Sequence, residues 1–346
     1  MPNPASQPVS SPSVAVVIPT RNEARFVGPV IEALLRSTYP RERLEVLFVD
    51  GMSSDGTRDI LAAAARTHSF IRVLDNPRVI APVALNLGIM AAQSDIIVRM
   101  DAHSEYEDDY IARCVGLLLS SGPKVANAGG KGVPKPVGDG PWAKPISYIL
   151  GHRFGVGGTA CRTSTHAGFV DTVPFGTYFR ALLVEIGMYD ERLTRNQDHE
   201  LNARLRRAGY AIAYDPTIRI HYRPRPDLKA LSRQAFFTGM WNVYTLRLHP
   251  YTWKWRRFIP GVFVAYLAGL VVLASLGRVP ALSLVPLGLY ALLVALFAVQ
   301  GAAFGGAPRV AATFASYHLS FGAGTLFGVG NLLLGRWRRY LGRPLG

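Results

Sequence analysis

Cysteine is almost absent: Cys114 and Cys161 are the only two among 346 residues. Two isolated thiols give no disulfide framework and fit no metal-ligand spacing, which suits a reducing compartment. Acidic residues are scarce as well. Lys and Arg total 38 against 23 Asp and Glu, a formal net charge of +15. Such a balance points to anionic partners, whether nucleic acid, anionic lipid or phosphorylated ligands. The first residues lack the cationic start and apolar core of a secretory signal, so the N-terminal domain is expected to stay in the cytosol. Residues 1–13 (MPNPASQPVSSPS) have too little apolar surface to offset their ordering entropy and read as a disordered leader. Charge is nearly missing over 258–304, where Arg278 stands alone.

What is present begins with an α/β pattern. VAVVIP (14–19), LEVLFVD (44–50), IRVLDN (71–76) and DIIVRMD (95–101) read as buried strands. Residues 25–37, 57–67 and 81–92 between them read as helices; Phe26, Val30, Ile31, Leu34 and Leu35 mark the first. This alternation predicts a mostly parallel, Rossmann-like sheet with right-handed crossovers. Ligands of such sheets bind beyond the carboxyl ends of the strands, where Asp50 and Asp101 stand. Residues 131–176 are rich in Gly, Pro and Thr, and a connection that long is usually functional. Helical stretches over 178–187 and 193–209, the latter closed by Gly209, and a strand over 211–221 complete a domain spanning 14–225.

Residues 226–257 mix aromatics (Phe236, Phe237, Trp241, Tyr244, Tyr251, Trp253, Trp255) with Lys and Arg, as an amphipathic helix in the headgroup layer does. A membrane region is expected over 258–335, followed by a basic tail, 336–346. Its runs 258–276 and 280–304 each reach the ~20 residues needed to cross a bilayer. A third, 310–334, carries His318 and several glycines. If all three crossed, the basic RWRRYLGR tail would lie outside, against the tendency of basic loops. Two full spans are therefore expected, with the third segment re-entrant or packed. The cations flanking these runs, such as Lys254, Arg256, Arg257, Arg336 and Arg338, suit membrane lipid better than nucleic acid.

Three acidic elements carry the candidate chemistry. Asp50, in VDGMSSDGT (49–57), could accept from uracil or ribose, with Gly51 and Gly56 allowing close backbone approach. Its plainer role is a turn or helix cap. Asp101 and His103 lie two residues apart and could share one divalent ion, Mn²⁺ or Mg²⁺, whose shell diphosphate oxygens complete. The plainer reading of His103 is an ordinary loop histidine. Asp198, in Gln197-Asp198-His199-Glu200, sits at a helix start and could deprotonate an incoming hydroxyl. As alternatives, Asp198 caps the helix and Glu200 pairs with Arg204 one turn on. His221 in IRIHY is a weak further metal candidate.

Taken together, Pro19-Thr20-Arg21-Asn22-Glu23, Asp50 with Asp55-Gly56-Thr57, Asp101-Ala102-His103 and Gln197-Asp198-His199-Glu200-Leu201 resemble glycosyltransferase family 2, with its GT-A nucleotide-diphospho-sugar fold. The resemblance spans roughly 14–245. Within the family, RMDAHSEY (99–106), DTVPFGTY (171–178), RNQDHELNARLRRAG (195–209) and RPRPDLKALSRQAFFTG (223–239) are similar to succinoglycan-biosynthesis glucosyltransferases of the ExoA type. The resemblance implies that Pro19, Thr20, Glu23 and Asp50 hold the nucleoside end of the donor. Asp101 and His103 would take metal and diphosphate, and Asp198 would be the catalytic base. Arg233 and Gln234 would contact the donor diphosphate. Gly176, Thr177, Gln197, Glu200 and Trp241 become acceptor- or donor-side candidates. The expected reaction is inverting transfer of a hexose from a nucleotide-diphospho-sugar to a lipid-linked sugar acceptor, with the catalytic domain on the cytoplasmic face of the cell membrane. The stretch 233–241 departs from the Gln/Arg/Trp motif of processive synthases, which argues against a polymerase. A polyprenyl-phosphate sugar synthase, with little need of a base, is the other enzymatic alternative. A non-enzymatic binder would need none of the three acids.

Overall fold

The computed structural model describes residues 11–344. Of the leader expected over 1–13, residues 1–10 lie outside the described residues. Its last two residues are docked on the domain. The Pro12 carbonyl accepts from the Tyr39 hydroxyl at 2.6 Å, and the Ser13 hydroxyl donates to Asp95 at 2.7 Å. A backbone carbonyl and a hydroxyl suffice to fix these two, so the leader stops short of 13.

The run Val14–Thr20 forms β1. Val14, Val16 and Ile18 pack on one face of a sheet and Ala15 and Val17 on the other. A strand covered on both faces is apolar throughout, which is why this run shows no alternation. α1 (Val27–Leu35) buries Val27, Val30, Ile31 and Leu34, a single helical stripe. β2 (Leu44–Asp50), α2 (Thr57–Thr67), β3 (Ile71–Asp75), α3 (Ala81–Ala91) and β4 (Ile96–Arg99) follow the expected alternation. In α3, Gly88 lies so close to the sheet that a Cβ there would stand 2.3 Å from Val17 Cγ1.

The chain continues through β5 (Ser104–Tyr106), α4 (Tyr110–Ser120), β6 (Val125–Pro134), α5 (Ala143–Gly151), α6 (Arg153–Val156), α7 (Ala160–Thr163) and β7 (Gly168–Phe169). Then come β8 (Thr177–Phe179), α8 (Arg180–Glu185), α9 (Gln197–Arg207) and β9 (Ala211–Tyr222). The sheet order is β3-β2-β1-β4-β8-β6-β9-β5, with β7 also on β9. The expected parallel pairing holds for β3, β2, β1 and β4. Beyond β4 the sheet is mixed: β8 runs antiparallel to both β4 and β6, while β6 and β9 are parallel. β8 is reached through the long 135–176 connection, which holds α5, α6, α7 and β7 rather than a single crossover helix, so nothing constrains it to run parallel.

Four helices follow: α10 (Leu228–Leu248), α11 (Ile259–Ser275), α12 (Val285–Gln300) and α13 (Ala307–Leu333). Two full membrane spans were expected, and the helix lengths correct this. Only Ala281–Gln300, α12 with the turn before it, is long and apolar enough to cross a membrane among the described residues. α11 has 17 residues, cut short by Gly277 and Pro280. The third segment is one continuous helix of 27 residues, packed rather than re-entrant. Its glycines let helices touch: a Cβ on Gly324 would stand 1.9 Å from the Phe236 carbonyl of α10, and one on Gly322 2.2 Å from the Pro260 carbonyl of α11. The aromatics expected at a headgroup layer divide. Trp241 and Tyr244 are fully buried with Leu193, Met240 and Trp337 inside the protein. Trp253 and Trp255 are exposed just before α11, whose outer face is apolar.

Candidate active site

Two loops at the carboxyl edge of β1 and β2 are fastened to each other. Asn22 has a left-handed backbone, with φ of 54°, which Asn tolerates better than most residues. Its amide donates to Ser53 Oγ at 2.8 Å, and its Oδ1 accepts from the Ser54 amide at 2.9 Å. The Glu23 amide donates to Thr57 Oγ1 at 2.8 Å. Gly56 opens α2 at a φ of 93°, where a side chain would be strained. The result is a rigid cradle. Thr20 is buried, its hydroxyl turned back to the Ile18 carbonyl, so with the partly buried Pro19 it shapes the floor.

Asp50 is fully buried, and its carboxylate is engaged from within. It accepts from the Ser53 amide at 2.9 Å and from Arg58 Nη1 at 2.8 Å. Arg58 Nη2 reaches Asp75 at 2.8 Å, tying the ends of β2 and β3 together. Asp50 thus holds the turn, the plainer role considered above, and Arg58 stands between it and solvent. Arg58 was not identified from sequence. The paired acids at the ends of adjacent strands, Asp50 and Asp75, were its only signal.

Asp101 lies two residues past β4. Its amide donates to the Tyr106 hydroxyl at 2.6 Å, which fixes the backbone of the turn. His103 Nδ1 meets Glu23 Oε1 at 3.0 Å. That contact is the largest cause raising the His103 pKa above the ordinary histidine value; burial opposes it, and Asp101 adds to it. Glu23 therefore pairs with His103. A carboxylate on one imidazole nitrogen orients the ring and leaves Nε2 as the ligating atom, the arrangement common in metal-binding histidines. No group of three His, Cys, Asp or Glu side chains able to hold a metal occurs among the described residues, so His221 does not join Asp101 and His103. His221 stands on β9 opposite Glu105. Two protein ligands suit an ion that arrives with a diphosphate, whose oxygens fill most of its shell.

Asp198 occupies the first turn of α9. The N-cap position belongs to Asn196, in the left-handed region at a φ of 63°, and Asn196 is tied to Asn242 of α10 at 3.0 Å. Asp198 is thus free of capping. Its Oδ1 instead accepts from Arg99 Nη1, while Arg99 Nη2 reaches Asp101 Oδ1 at 3.2 Å. Arg99 is the main residue that motif reading missed: an arginine inside an apolar strand is itself an anomaly. Its side chain is 7% exposed and its guanidinium lies 5.2 Å from the Phe175 ring centre. Burial acts to lower its pKa, but Asp198 and then Asp101 more than offset that, and it stays cationic. One buried cation therefore joins the metal-side acid to the α9 acid.

The remaining candidates support this centre. The Gly176 carbonyl accepts from the Arg99 amide at 3.1 Å, and a Cβ on Gly176 would fall 2.2 Å from Asn127 Oδ1. Thr177 is buried, its amide donating to the same Asn127 oxygen. Asn127, Asn202 and Thr172 chain onward at 2.7 and 2.8 Å, bracing α9 one turn after Asp198. Glu200 is fully buried, pairs with Arg204 as expected, and also accepts from the Tyr251 hydroxyl at 2.6 Å. Gln197, partly buried, begins α9. Arg233 and Gln234 lie on α10. Arg233 with Arg225 adds repulsion at Arg195, whose pKa burial has already pushed down, to about 10 in all. Trp241, two turns beyond, is fully buried in the helix core with Leu193, Met240 and Tyr244.

Comparisons with known proteins bear on the family and the fold. The family model for glycosyl transferase family 2 matches residues 15–180. The chain is 30% identical to the succinoglycan biosynthesis protein ExoA of Rhizobium meliloti (strain 1021), over 83% of this chain and 85% of that protein. It is 26% identical to a Methanococcus voltae protein named dolichyl N-acetyl-alpha-D-glucosaminyl phosphate 3-beta-D-2,3-diacetamido-2,3-dideoxy-beta-D-glucuronosyltransferase, over 65% of this chain and 71% of that one. Among solved structures it resembles a mannosyltransferase from Pyrobaculum calidifontis in complex with GDP-Man and Mn²⁺. The TM-score is 0.62 at 19% identity, covering 94% of this chain and 89% of the other, a likeness of fold.

Proposed function

The chain belongs to glycosyl transferase family 2, and on that premise we propose that it moves a hexose from a nucleotide-diphospho-sugar, UDP-linked, to a lipid-linked sugar acceptor, with inversion. The observation that carries this reading is Arg99, which brings Asp101 and Asp198 to one guanidinium. Donor-side and acceptor-side acids are thereby held at bonding range of one centre. The relatives' names favour such substrates: one acts in succinoglycan biosynthesis, the other on a dolichyl-linked sugar phosphate.

Asp101 and His103 Nε2 would hold a divalent ion, Mn²⁺ or Mg²⁺, together with the donor's diphosphate oxygens. Such an ion, when bound, offsets the charge gathering on the departing diphosphate. The cradle of 20–24 and 51–57 receives the nucleoside. Arg99 fixes Asp198 through Oδ1, which leaves Oδ2 for the acceptor hydroxyl. Asp198 takes that proton as the oxygen attacks the anomeric carbon. The bond to the diphosphate breaks on the opposite face, so an α-linked donor gives a β-glycoside. α12 and the exposed Trp253 and Trp255 hold the chain at the cell membrane, with the site on the cytoplasmic face.

The test is a screen of nucleotide-sugars with the purified full chain in detergent, with and without polyprenyl-diphosphate-linked sugars. Release of UDP coupled to a new β-linked glycolipid is expected. Release of no nucleotide from any donor, with or without acceptor, would overturn the reading.

A further inference from the structure

A second cationic cluster stands apart from Arg99 and from the donor-side arginines. Lys254 pairs with Asp171, and Arg206 Nη1 lies 3.6 Å from the same carboxylate. Arg256 Nη1 donates to the Gly157 carbonyl at 3.4 Å. Arg162 lies with its guanidinium 5.1 Å from the Tyr222 ring centre. Lys254 and Arg206 thus take Asp171 between them, and Arg162, Arg256 and the partly buried Arg257 are left without a salt bridge among the described residues.

Four of them, Arg257, Lys254, Arg162 and Arg206, act electrostatically on His199, the residue after Asp198 on α9. Burial first, then Arg257, Lys254 and Arg162, lowers the His199 pKa well below the ordinary value, so the ring stays neutral. Its Nδ1 is buried and has no partner among the described residues. Arg257 is pushed down to about 10, by burial first; Asp171 opposes this, and Arg206 and Arg256 add repulsion. Crowding like charges in a partly buried space costs free energy unless an anion answers them.

We propose that Arg162, His199, Lys254, Arg256 and Arg257 form the site for the diphosphate of a lipid-linked acceptor, placing its sugar at Asp198. This rests on the function proposed above and names the acceptor group that the chain grips. Guanidinium groups match phosphate oxygens with paired hydrogen bonds. The position favours an acceptor over bilayer headgroups. The cluster reaches inward to the base, because His199 follows Asp198 in the first turn of α9. It also reaches outward, because Arg257 is two residues from the start of α11, whose exposed Ile259 and Val262 offer a path for a prenyl tail. The donor's diphosphate falls instead to Asp101 and His103 with their ion.

The test uses the full chain in a neutral detergent, with farnesyl diphosphate, farnesyl phosphate and UDP as probes. Farnesyl diphosphate is expected to bind more tightly than the monophosphate. Arg257→Gln should weaken it by about tenfold or more, the loss of a charge-assisted hydrogen bond, with UDP affinity within about twofold. Unchanged farnesyl diphosphate affinity in Arg257→Gln would overturn the proposal, as would an equal loss of UDP. Displacement of the probe by phosphatidylglycerol vesicles would overturn it in favour of a headgroup site. Should Arg257→Gln fail to fold, Arg162→Gln carries the same expectations. The binding measurement needs no sugar transfer. If the variants lose the probe while no donor is ever turned over, the pocket stands and the transferase reading falls.

Discussion

Arg99→Met removes a buried cation and keeps most of its volume. Arg99 is 7% exposed, and its partners Asp101 and Asp198 are 16% and 26% exposed, so solvent screens little of the interaction. Two acids would be left facing each other across the gap. Removing one partner of a buried ion pair costs about 3–5 kcal/mol. In a domain of this size each kcal/mol lowers the unfolding midpoint by roughly 2–4 °C, so the loss should be roughly 6–20 °C. Differential scanning fluorimetry of the detergent-purified chain reads this directly. The double variant Arg99→Met/Asp198→Asn removes one of the stranded charges, so it should recover part of the loss, with a coupling of about 1 kcal/mol or more. Arg99→Lys keeps the charge but cannot fork between two carboxylates, and should fall between. Transfer should drop about 100-fold in Arg99→Met, because the base is no longer held in place. A midpoint within about 2 °C of wild type, or strictly additive effects in the double variant, would refute the idea that Arg99 binds the two acids together.

Asp198→Asn should lower transfer by ~10²–10⁴, with donor affinity within a few-fold, measured by single-turnover assay and UDP titration. Activity should vanish in EDTA and return with Mn²⁺ or Mg²⁺, and Asp101→Ala should weaken UDP binding more than uridine binding in calorimetry. Glu23→Gln, which loosens His103, should weaken Mn²⁺ binding by about 10–100-fold without altering the fold, read by titration in the presence of UDP. The full chain should stay with membranes through high salt and alkaline carbonate and leave only with detergent, because α12 carries a lipid-length apolar surface; release by salt alone would point to the basic residues instead.

Local pattern was enough to place β1 to β4 and α1 to α3: β1, β2 and β4 are apolar runs buried along nearly their whole length, and α1 shows a single stripe. The same local logic put Asp101, His103 and Asp198 in one motif series, and a family resemblance joined them. Pairings between distant segments were beyond it. Nothing in the sequence near Glu23 says that it meets His103, 80 residues on, or that Asp50 is consumed by Ser53 and Arg58. Trp241, a ligand-side candidate in sequence, is buried in the helix core, and Gly322 and Gly324 of α13 are points of close helix contact. By itself the sequence determined the α/β order, the strand-end acids and the apolar C-terminal third, since those follow from periodicity and composition. Only the tertiary structure decided that Arg99 links Asp101 to Asp198 and that Arg162, Arg206, Lys254 and Arg257 act together on His199. A charge acts through space over a few ångströms, and chain separation does not encode that distance.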